Sequence, residues 1–495
     1  MANQKNRAHW ILWDVHAWTG VVSGLVLYVM FFTGAFVLFR SELRSWSFGP
    51  QPPPVERSVE EAAAPLLAAR ADVAWLFELG DDGARVIGGQ MRARGQRDHF
   101  TIDGRSGALV QEWTAVERIL WHLHFLYQLP FGFYLSGFFG LALVLAIVTG
   151  VVIHWRNIPS QLLRFRPGRA AKIVWTDAHK VLGTVGLPFL LVFGLTGTII
   201  CLGPLLLQAH TAATFGGDHD QAEEILGFVH ADVEPAGAPG PRLPYDALIA
   251  RAKAAVPGLE PEWIRFQHPG DANEVLNVYG ARVRGEPFGH ATVLLRAADG
   301  AVLAANAPAT RGPGAIATAA AFALHFVSYG GTAIRLVHAL LALGGCAIIL
   351  SGFAVWLARR EAARASRPNR WLLSLVIGTG AGLPLGTAAL FAASRALPAD
   401  LPWRVGWENV ALFGTWFAAT LYAFAPLPRR RVMRDLLLAA GALWGAAALL
   451  DLAAGFRPEA AGVDLALVAF AVFSFWLSSR MHVAARAPLL AAQEG

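Results

Sequence analysis

Eight stretches of about 20 mostly apolar residues restrict what this chain can fold into. A helix of that length is needed to cross a bilayer core about 30 Å thick. The stretches are approximately Trp18–Phe39, Phe133–Trp155, Val181–Leu207, Ala333–Leu357, Leu372–Ala393, Trp407–Pro426, Asp435–Ala454 and Val463–Ser479. The sequence therefore predicts an α-helical integral membrane protein with about eight transmembrane helices.

The composition supports this class and excludes others. Hydrophobic residues make up 55% of the 495 residues and charged residues only 15%, whereas soluble domains are about one quarter charged. The net charge of +6 comes from short basic clusters beside the apolar stretches, which does not suggest a nucleic-acid partner. Cys201 and Cys346 both lie in apolar stretches, so we predict that they pack in helices and form no disulfide.

The basic clusters also predict the orientation in the membrane. They lie near the N-terminus, after the second, fourth and sixth stretches, and in the C-terminal tail. With eight spans, all of them fall on one side, which the positive-inside rule identifies as the cytoplasm. We therefore expect both termini to be cytoplasmic.

Two long segments, residues 41–118 and 209–320, then lie on the outer side. Each combines a helical stretch, Val59–Arg70 or Tyr245–Val256, with a strand–turn–strand pattern, His99–Val110 or Ala291–Leu303. Each is predicted to be a small α+β domain. The predicted division of the chain is 1–40 (N-terminal segment and first helix), 41–118 (first outer domain), 119–208 (second and third helices with a basic cytoplasmic loop), 209–320 (second outer domain), 321–360 (fourth helix) and 361–495 (four additional helices).

The first four apolar stretches form an internal repeat. Asp14, His16 and Gly20 recur as Asp177, His179 and Gly183 at a constant offset, and the pair Thr33-Gly34 recurs as Thr196-Gly197. The second and fourth stretches share a further set, in which Leu123-His124-Phe125, Thr149-Gly150 and Trp155 correspond to Leu324-His325-Phe326, Ser351-Gly352 and Trp356. Two halves with the same orientation predict a pseudo-two-fold axis along the membrane normal.

Four histidines occupy repeat-related positions. His16 and His179 lie at the cytoplasmic starts of the first and third stretches, and His124 and His325 lie at the outer approach to the second and fourth. Ionisable residues beside membrane spans indicate function, although a single histidine there is commonly only a polar interfacial residue. The matched positions predict two pairs, one near each membrane face.

The pairs favour haem over zinc as the metal group. Zinc sites need three or four protein ligands, and no Cys, Asp or Glu accompanies either pair closely. Two imidazoles on opposite sides of a porphyrin match bis-histidine haem b, so we predict two haem b groups with irons roughly 15–20 Å apart. His122 and His338 are the alternative ligands if the register differs.

Glycines in the same helices would let the helices separate around a porphyrin, although close helix packing alone also explains many of them. They are Gly20, Gly24, Gly34, Gly137, Gly140, Gly183, Gly186, Gly197, Gly344 and Gly345.

The motifs together resemble the PepSY-associated transmembrane proteins of bacterial inner membranes. The resemblance covers about residues 9–360 and depends on the order of the four histidine motifs, with Gly330-Gly331 and Arg335 after the fourth. The outer segments resemble PepSY domains, the second more clearly, through Tyr245–Pro257 and Thr292–Leu303.

The resemblance implies a function for the histidines. In the iron-regulated branch of that family, four core helices carry two haem b groups and reduce ferric siderophores, releasing Fe(II) in the periplasm. The axial ligands would be His16 and His179 at the inner haem and His124 and His325 at the outer haem. Some relatives carry a cytosolic flavin domain, whereas this chain has four extra helices instead.

The electron donor and two alternative functions stay open from the sequence. The chain has no dinucleotide-binding or P-loop motif, so the donor would be a membrane quinol or a separate cytosolic reductase. PepSY domains also occur in peptidase propeptides, which allows a non-enzymatic membrane module that binds or inhibits a peptidase. The repeats and extra helices allow a transporter.

Overall fold

The computed structural model describes the chain with several gaps, and it gives only the backbone for residues 2–6, 8, 45, 74–79, 86–93, 96–102, 109–111 and 482–490. The described residues are 2–47, 58–61, 63–64, 74–79, 86–93, 96–102, 109–111, 115–155, 164–229, 231, 233–360, 366–398, 400–458 and 460–490.

The chain forms two compact units, and each is assembled from segments that are distant in sequence. The helical unit contains Met1–Pro50, Trp113–Cys201 and Arg335–Gly495. The sheet unit contains Gln51–Glu112 and Leu202–Ile334.

Helices account for nearly all of the helical unit, because a chain in a bilayer must satisfy its backbone hydrogen bonds internally. Two of them, α6 and α10, continue past the boundary between the units. The helices are α1 (Ala2–Val37), α2 (Arg40–Ser47), α3 (Val116–His124), α4 (Gly132–His154), α5 (Ala171–Val185), α6 (Leu187–Thr214), α10 (Thr332–Arg359), α11 (Arg367–Gly380), α12 (Gly382–Ala396), α13 (Arg404–Asn409), α14 (Thr415–Ala423), α15 (Arg429–Ala454) and α16 (Ala461–Leu490).

Seven helical stretches of the described chain are long and apolar enough to cross a membrane. They are His9–Val37, Gly132–His154, Leu187–Thr214, Thr332–Arg359, Arg367–Ala396, Arg429–Ala454 and Ala461–Met481. These stretches overlap seven of the eight predicted spans. The remaining prediction, Trp407–Pro426, falls on α13 and α14, which are joined by the π-helical turn Val410–Gly414. That turn interrupts the regular α-helical bonding, so the stretch is helical but is not one continuous α-helix.

The predicted four additional helices correspond to α11 to α16 of the structure, which we continue to call the additional helices, and they pack directly against the repeated ones. Phe36 of α1 lies 6.2 Å from Trp444 of α15, measured between ring centroids, and 6.0 Å from Phe391 of α12. Trp46 of α2 is fully buried and lies 5.1 Å from Phe391. The helical unit therefore has one hydrophobic core shared by both parts of the chain.

Both cysteines are free and buried, as the sequence predicted. Cys201 accepts a hydrogen bond from the Ser136 hydroxyl, and Cys346 lies against the carbonyl of Tyr28.

The sheet unit is built on one antiparallel sheet of eight strands in the order β10-β9-β7-β6-β1-β2-β3-β4. Strands β5 and β8 form a separate pair. The helices of this unit are α7 (His219–Ile225), α8 (Tyr245–Ala255) and α9 (Pro313–Phe326). The strands are β1 (Ala74–Leu79), β2 (Val86–Ala93), β3 (Gln96–Ile102), β4 (Leu109–Gln111), β5 (Leu259–Glu260), β6 (Trp263–Gln267), β7 (Val275–Gly280), β8 (Arg282–Val283), β9 (Ala291–Arg296) and β10 (Val302–Asn306).

The sheet joins the two outer segments that the sequence treats as separate domains. β1 of the first segment pairs with β6 of the second, with Leu76 opposite Arg265 and Phe77 opposite Ile264. Long-range pairing of this kind leaves no local pattern in the sequence, so the two predicted domains share a single sheet.

The local predictions within each segment agree with the structure. β3 pairs with β4 and β9 with β10, as the two hairpin patterns predicted, and residues 103–108 at the first hairpin tip lie outside the described residues. α8 matches the predicted helix Tyr245–Val256 and packs Tyr245, Leu248 and Ile249 against the sheet. Of the predicted helix Val59–Arg70, residues 59–61 and 63–64 are helical and the others lie outside the described residues.

Candidate functional site

His16 lies on α1, and its ring is fixed by the neighbouring helix α4. The Nδ1–H donates to the carbonyl oxygen of Ala146 at 2.9 Å. A Cβ on Gly150 would lie 3.0 Å from the Cε1 of His16, so only glycine leaves room for the ring at this position. Because a carbonyl oxygen can only accept, Nδ1 carries the proton and Nε2 keeps its lone pair for a metal.

His179 on α5 has the same arrangement with α10. Its Nδ1–H donates to the carbonyl of Ile348 at 2.9 Å, and the Ser351 hydroxyl lies 3.2 Å from the same nitrogen. A Cβ on Gly352 would lie 3.2 Å from the ring. The repeat therefore reproduces the hydrogen bond as well as the sequence motif.

His124, the last residue of α3, is fixed in this way against α1. Its Nδ1–H donates to the carbonyl of Met30 at 2.9 Å. A Cβ on Gly34 would lie 3.1 Å from its Cε1. Three histidines are thus held by an identical local structure, which we call the histidine anchor.

Each histidine anchor uses a glycine preceded by threonine or serine, and the carbonyl four residues before that glycine. The hydroxyls of Thr33, Thr149 and Ser351 donate back to carbonyls of their own helices, which keeps them from filling the space above the glycine. The sequence motifs Thr33-Gly34, Thr149-Gly150 and Ser351-Gly352 are explained by this packing.

The structure brings together the predicted inner pair. The ring centroids of His16 and His179 lie 6.2 Å apart, with an angle of 72° between the ring planes. Two imidazoles bound to opposite sides of one iron at about 2 Å each would place their centroids about 6 Å apart. The separation therefore matches one metal atom between two Nε2 atoms.

The predicted outer pair is divided between the two units. His124 belongs to the helical unit, whereas His325 lies on α9 of the sheet unit, where it is partly buried and lies edge-on to Phe326 at 5.5 Å. The pairing of His124 with His325 stays a prediction from the sequence repeat.

The two positions of α1 that take part in histidine anchors are well separated along the helix. His16 and Met30, whose carbonyl anchors His124, are 14 residues apart on this helix, which corresponds to about 21 Å at 1.5 Å per residue. The separation of the two irons, roughly 15–20 Å, stays a prediction from the bilayer dimensions.

Burial keeps the anchored imidazoles neutral. Burial lowers the pKa of His124 below its usual range and lowers the pKa of His179 to about 4. At neutral pH both rings are therefore unprotonated at Nε2, which is the state that binds metal.

The alternative ligands lie elsewhere. His122 is exposed and lies edge-on to Tyr127. The ring of His338 lies 5.8 Å from both Phe189 and Phe193. Neither of these contacts joins the His16–His179 pair, and the assignment of the metal ligands stays a prediction from the sequence.

Several of the predicted glycines serve helix packing alone. A Cβ on Gly24 would meet the ring of Phe353 at 2.9 Å, and one on Gly140 would meet the Thr198 hydroxyl at 2.8 Å. Of the glycines named from the sequence, Gly34 is in a histidine anchor, and sequence reasoning missed the anchoring role of Gly150 and Gly352.

Sequence reasoning also missed an ion pair beside His179. The Nε and Nη2 groups of Arg166 donate to the two carboxylate oxygens of Asp177, at 2.7 and 2.8 Å. The Asp177 side chain is buried, and the Arg166 guanidinium lowers its pKa below the usual range. The repeated Asp14 and Asp177 were the signal for this pair, but the partner lies in a loop outside the repeat.

A cluster of protein ligands for a bare metal ion is absent from the part of the chain that the structure describes. No three His, Cys, Asp or Glu side chains converge there as a metal site requires.

Comparison with known proteins identifies a family whose model covers the histidine-bearing helices. The model of the PepSY-associated TM region matches residues 13–359, which include all four histidines and end with α10. An uncharacterized protein of Pseudomonas aeruginosa is 31% identical to the chain over 369 residues, which cover 70% of this chain and 90% of that protein.

Proposed function

The chain belongs to the PepSY-associated TM region family of multi-pass membrane proteins, and from this premise we propose that it is a haem-containing reductase. It would carry electrons across the bacterial inner membrane and reduce ferric siderophores at the periplasmic face. This is the activity of the iron-regulated branch that the motifs resemble.

The observation that carries the proposal is the facing of His16 and His179. Their centroid separation of 6.2 Å suits one iron, and each Nδ1–H is already used by a backbone carbonyl. With both Nδ1–H groups used in this way, Nε2 is the nitrogen of each ring that could bind the iron.

The residues present fit haem b. His16 and His179 would hold one group, and His124 and His325 would hold the other. When bound, haem b supplies one-electron transfer without a proton. Backbone carbonyls fix the imidazole tautomers of His16, His179 and His124, and α1 would contribute to both haem layers.

The proposed reaction balances the electrons of the donor against those taken up by Fe(III). A quinol, or a cytosolic reductase, would supply two electrons for every two Fe(III) ions that become Fe(II), and a quinol would release two protons. Fe(II) binds hard oxygen ligands more weakly than Fe(III) does, so the reduction frees iron from the chelate. The basic clusters support cytoplasmic termini, which would put the sheet unit in the periplasm.

The test is the visible spectrum of the purified full chain before and after dithionite. We expect a red protein whose alpha band sharpens on reduction, with about two haem b groups per chain. A colourless preparation from haem-replete cells would overturn the proposal and favour the non-enzymatic PepSY module or the transporter.

A further inference from the structure

The helix that carries His124 lacks an N-terminal cap of its own. α3 begins after Ala115, whose side chain has no atom that could accept a hydrogen bond. In a capping box, an acidic residue at the third helical position bonds the backbone N–H of the capping residue. Here that position is Arg118, which has no acceptor.

The missing acceptor is supplied from the four additional helices. Glu408 of α13 is fully buried, and one of its carboxylate oxygens accepts from the Ala115 backbone N–H at 2.8 Å. Its other oxygen accepts from Arg404 at 2.7 Å. A carboxylate at this end of a helix also interacts favourably with the helix dipole.

A second connection reaches the same turn of α3 through α2. Glu117 is buried, and its carboxylate pairs with Arg40 and, at 3.6 Å, with Arg44. The guanidinium of Arg40 also lies 4.4 Å from the centroid of the Trp121 ring. The first two turns of α3 are therefore fixed by both α2 and α13.

The additional helices hold α2 in turn. The indole N–H of Trp46 donates to Asp464 of α16 at 3.0 Å. The Trp46 carbonyl accepts from Arg457 at 3.2 Å, and Arg457 pairs with the buried Asp451 at 2.7 Å. Both connections to α3 thus begin in residues 361–495, the part of the chain for which the family match gives no role.

From these contacts we infer that the four additional helices position His124, with Glu408 as the positioning residue. The inference depends on the proposed function only for the statement that His124 binds haem. α3 has nine residues and is about 13 Å long, so a shift at Ala115 moves His124 as part of one rigid helix. The additional helices would tune the outer haem layer, whereas the hydrogen bonds that fix the His16 and His179 rings come from α4 and α10.

The first test measures how firmly α3 is held. Glu408→Gln keeps the side-chain volume but loses the charge and one acceptor. Backbone hydrogen exchange of the full chain in residues 115–124 should become roughly five- to ten-fold faster, as expected from the loss of one cap. Tyr422→Phe is the matched control, because it removes a partly buried hydrogen bond to Asp435 within the additional helices and should leave α3 unchanged.

The second test asks whether only one haem layer responds. In a redox titration of the full chain, Glu408→Gln should shift the midpoint of one of two haem components and leave the other where it is in Tyr422→Phe. Glu117→Gln, which leaves α13 intact, should act in the same direction by a smaller amount.

Two results would overturn the inference. One is unchanged hydrogen exchange in α3, and the other is an equal shift of both haem components, which would indicate a general loss of structure. A wild-type chain without haem would instead contradict the proposed function. The exchange measurement would then still decide whether Glu408 holds the helix of His124.

Discussion

The two ends of the helix pair α1 and α4 carry the same histidine anchor but differ in what surrounds it. At one end, the ring centroids of His16 and His179 lie 6.2 Å apart. Beside His179, Asp177 of α5 pairs with Arg166 of the preceding loop. At the other end, His124 is supported by the distant residue Glu408 through α3. The sequence repeat relates the anchors of His16 and His179, whereas the support of His124 comes from a later part of the chain.

This difference separates ligation from support. Ligation depends on a backbone carbonyl, a glycine and a free Nε2, which are repeated at His16, His179 and His124. Support depends on buried charges that occur once. Substitutions in the anchor should therefore act alike at both ends, and substitutions in the support should act at one end only.

The largest effect should come from removing a ligand. His179→Ala and His16→Ala should each lower the haem content from two per chain to about one, and the double variant should lose no more than either single variant. His124→Ala should remove the other haem. Haem per chain by pyridine haemochromogen assay measures this, and His338→Ala, whose ring packs on phenylalanines, should keep both haems. Retention of both haems in His179→Ala would contradict the assignment of His179 as a haem ligand.

A smaller effect should follow from filling the glycine of an anchor. Gly352→Ala places a Cβ 3.2 Å from the ring of His179, which forces the imidazole to move by a few tenths of an ångström. We expect weaker haem retention at that end only, measured as haem loss to apomyoglobin. Gly344→Ala on the same helix is the control, since its Cβ meets no described atom within 4 Å, and equal behaviour of the two variants would contradict the anchor.

The ion pair beside His179 should matter less and should depend on pH. The Arg166 guanidinium lowers the pKa of Asp177, so the pair stabilises the fold above the usual aspartate range near pH 4, and this contribution is lost as the pH falls through the lowered value. Asp177→Asn should therefore weaken the His16–His179 layer at neutral pH and flatten its acid dependence. Haem retention between pH 7 and 3 measures both effects.

The internal repeat supplies the control for that variant. Asp14 is the counterpart of Asp177 but is exposed, so Asp14→Asn should behave as the wild type. If Asp14→Asn and Asp177→Asn lower haem retention equally, the ion pair with Arg166 is not the cause.

The smallest effect should come from the anchor hydroxyls. Ser351 lies 3.2 Å from the Nδ1 of His179, whereas Thr33 donates to carbonyls of its own helix. Ser351→Ala should change the midpoint of one haem component slightly, and Thr33→Ala should change it less, because the carbonyl bond of each anchor remains. Equal shifts would show that the hydroxyl has no direct effect on the imidazole.

Much of the helical unit could be predicted from sequence, because spans and anchors have local signatures. Apolar length located seven helical stretches long enough to cross a membrane, and the repeat selected His16 and His179, whose ring centroids lie 6.2 Å apart. The π-helical turn Val410–Gly414 has no such signature, so the sequence indicates the apolar stretch Trp407–Pro426 but not the interruption within it.

The contacts that sequence could not supply are those between residues far apart in the chain. Glu408 and Ala115 are 293 positions apart, and nothing in either local sequence indicates the other. Gly150 and Gly352 were matched in the repeat, but their part in the histidine anchor required the positions of the neighbouring helices.

The pairing of β1 with β6 has a consequence for how this protein is made. Leu76 lies opposite Arg265 in the sheet, so β1, the first strand of the first segment, stays an open edge until nearly 190 further residues have been synthesised. Pairing over such a distance is slow, and an open edge invites association with other chains. A chain interrupted after Gln111 would therefore be expected to aggregate. The two halves of this duplicated protein share one sheet, so we do not expect either half to fold by itself.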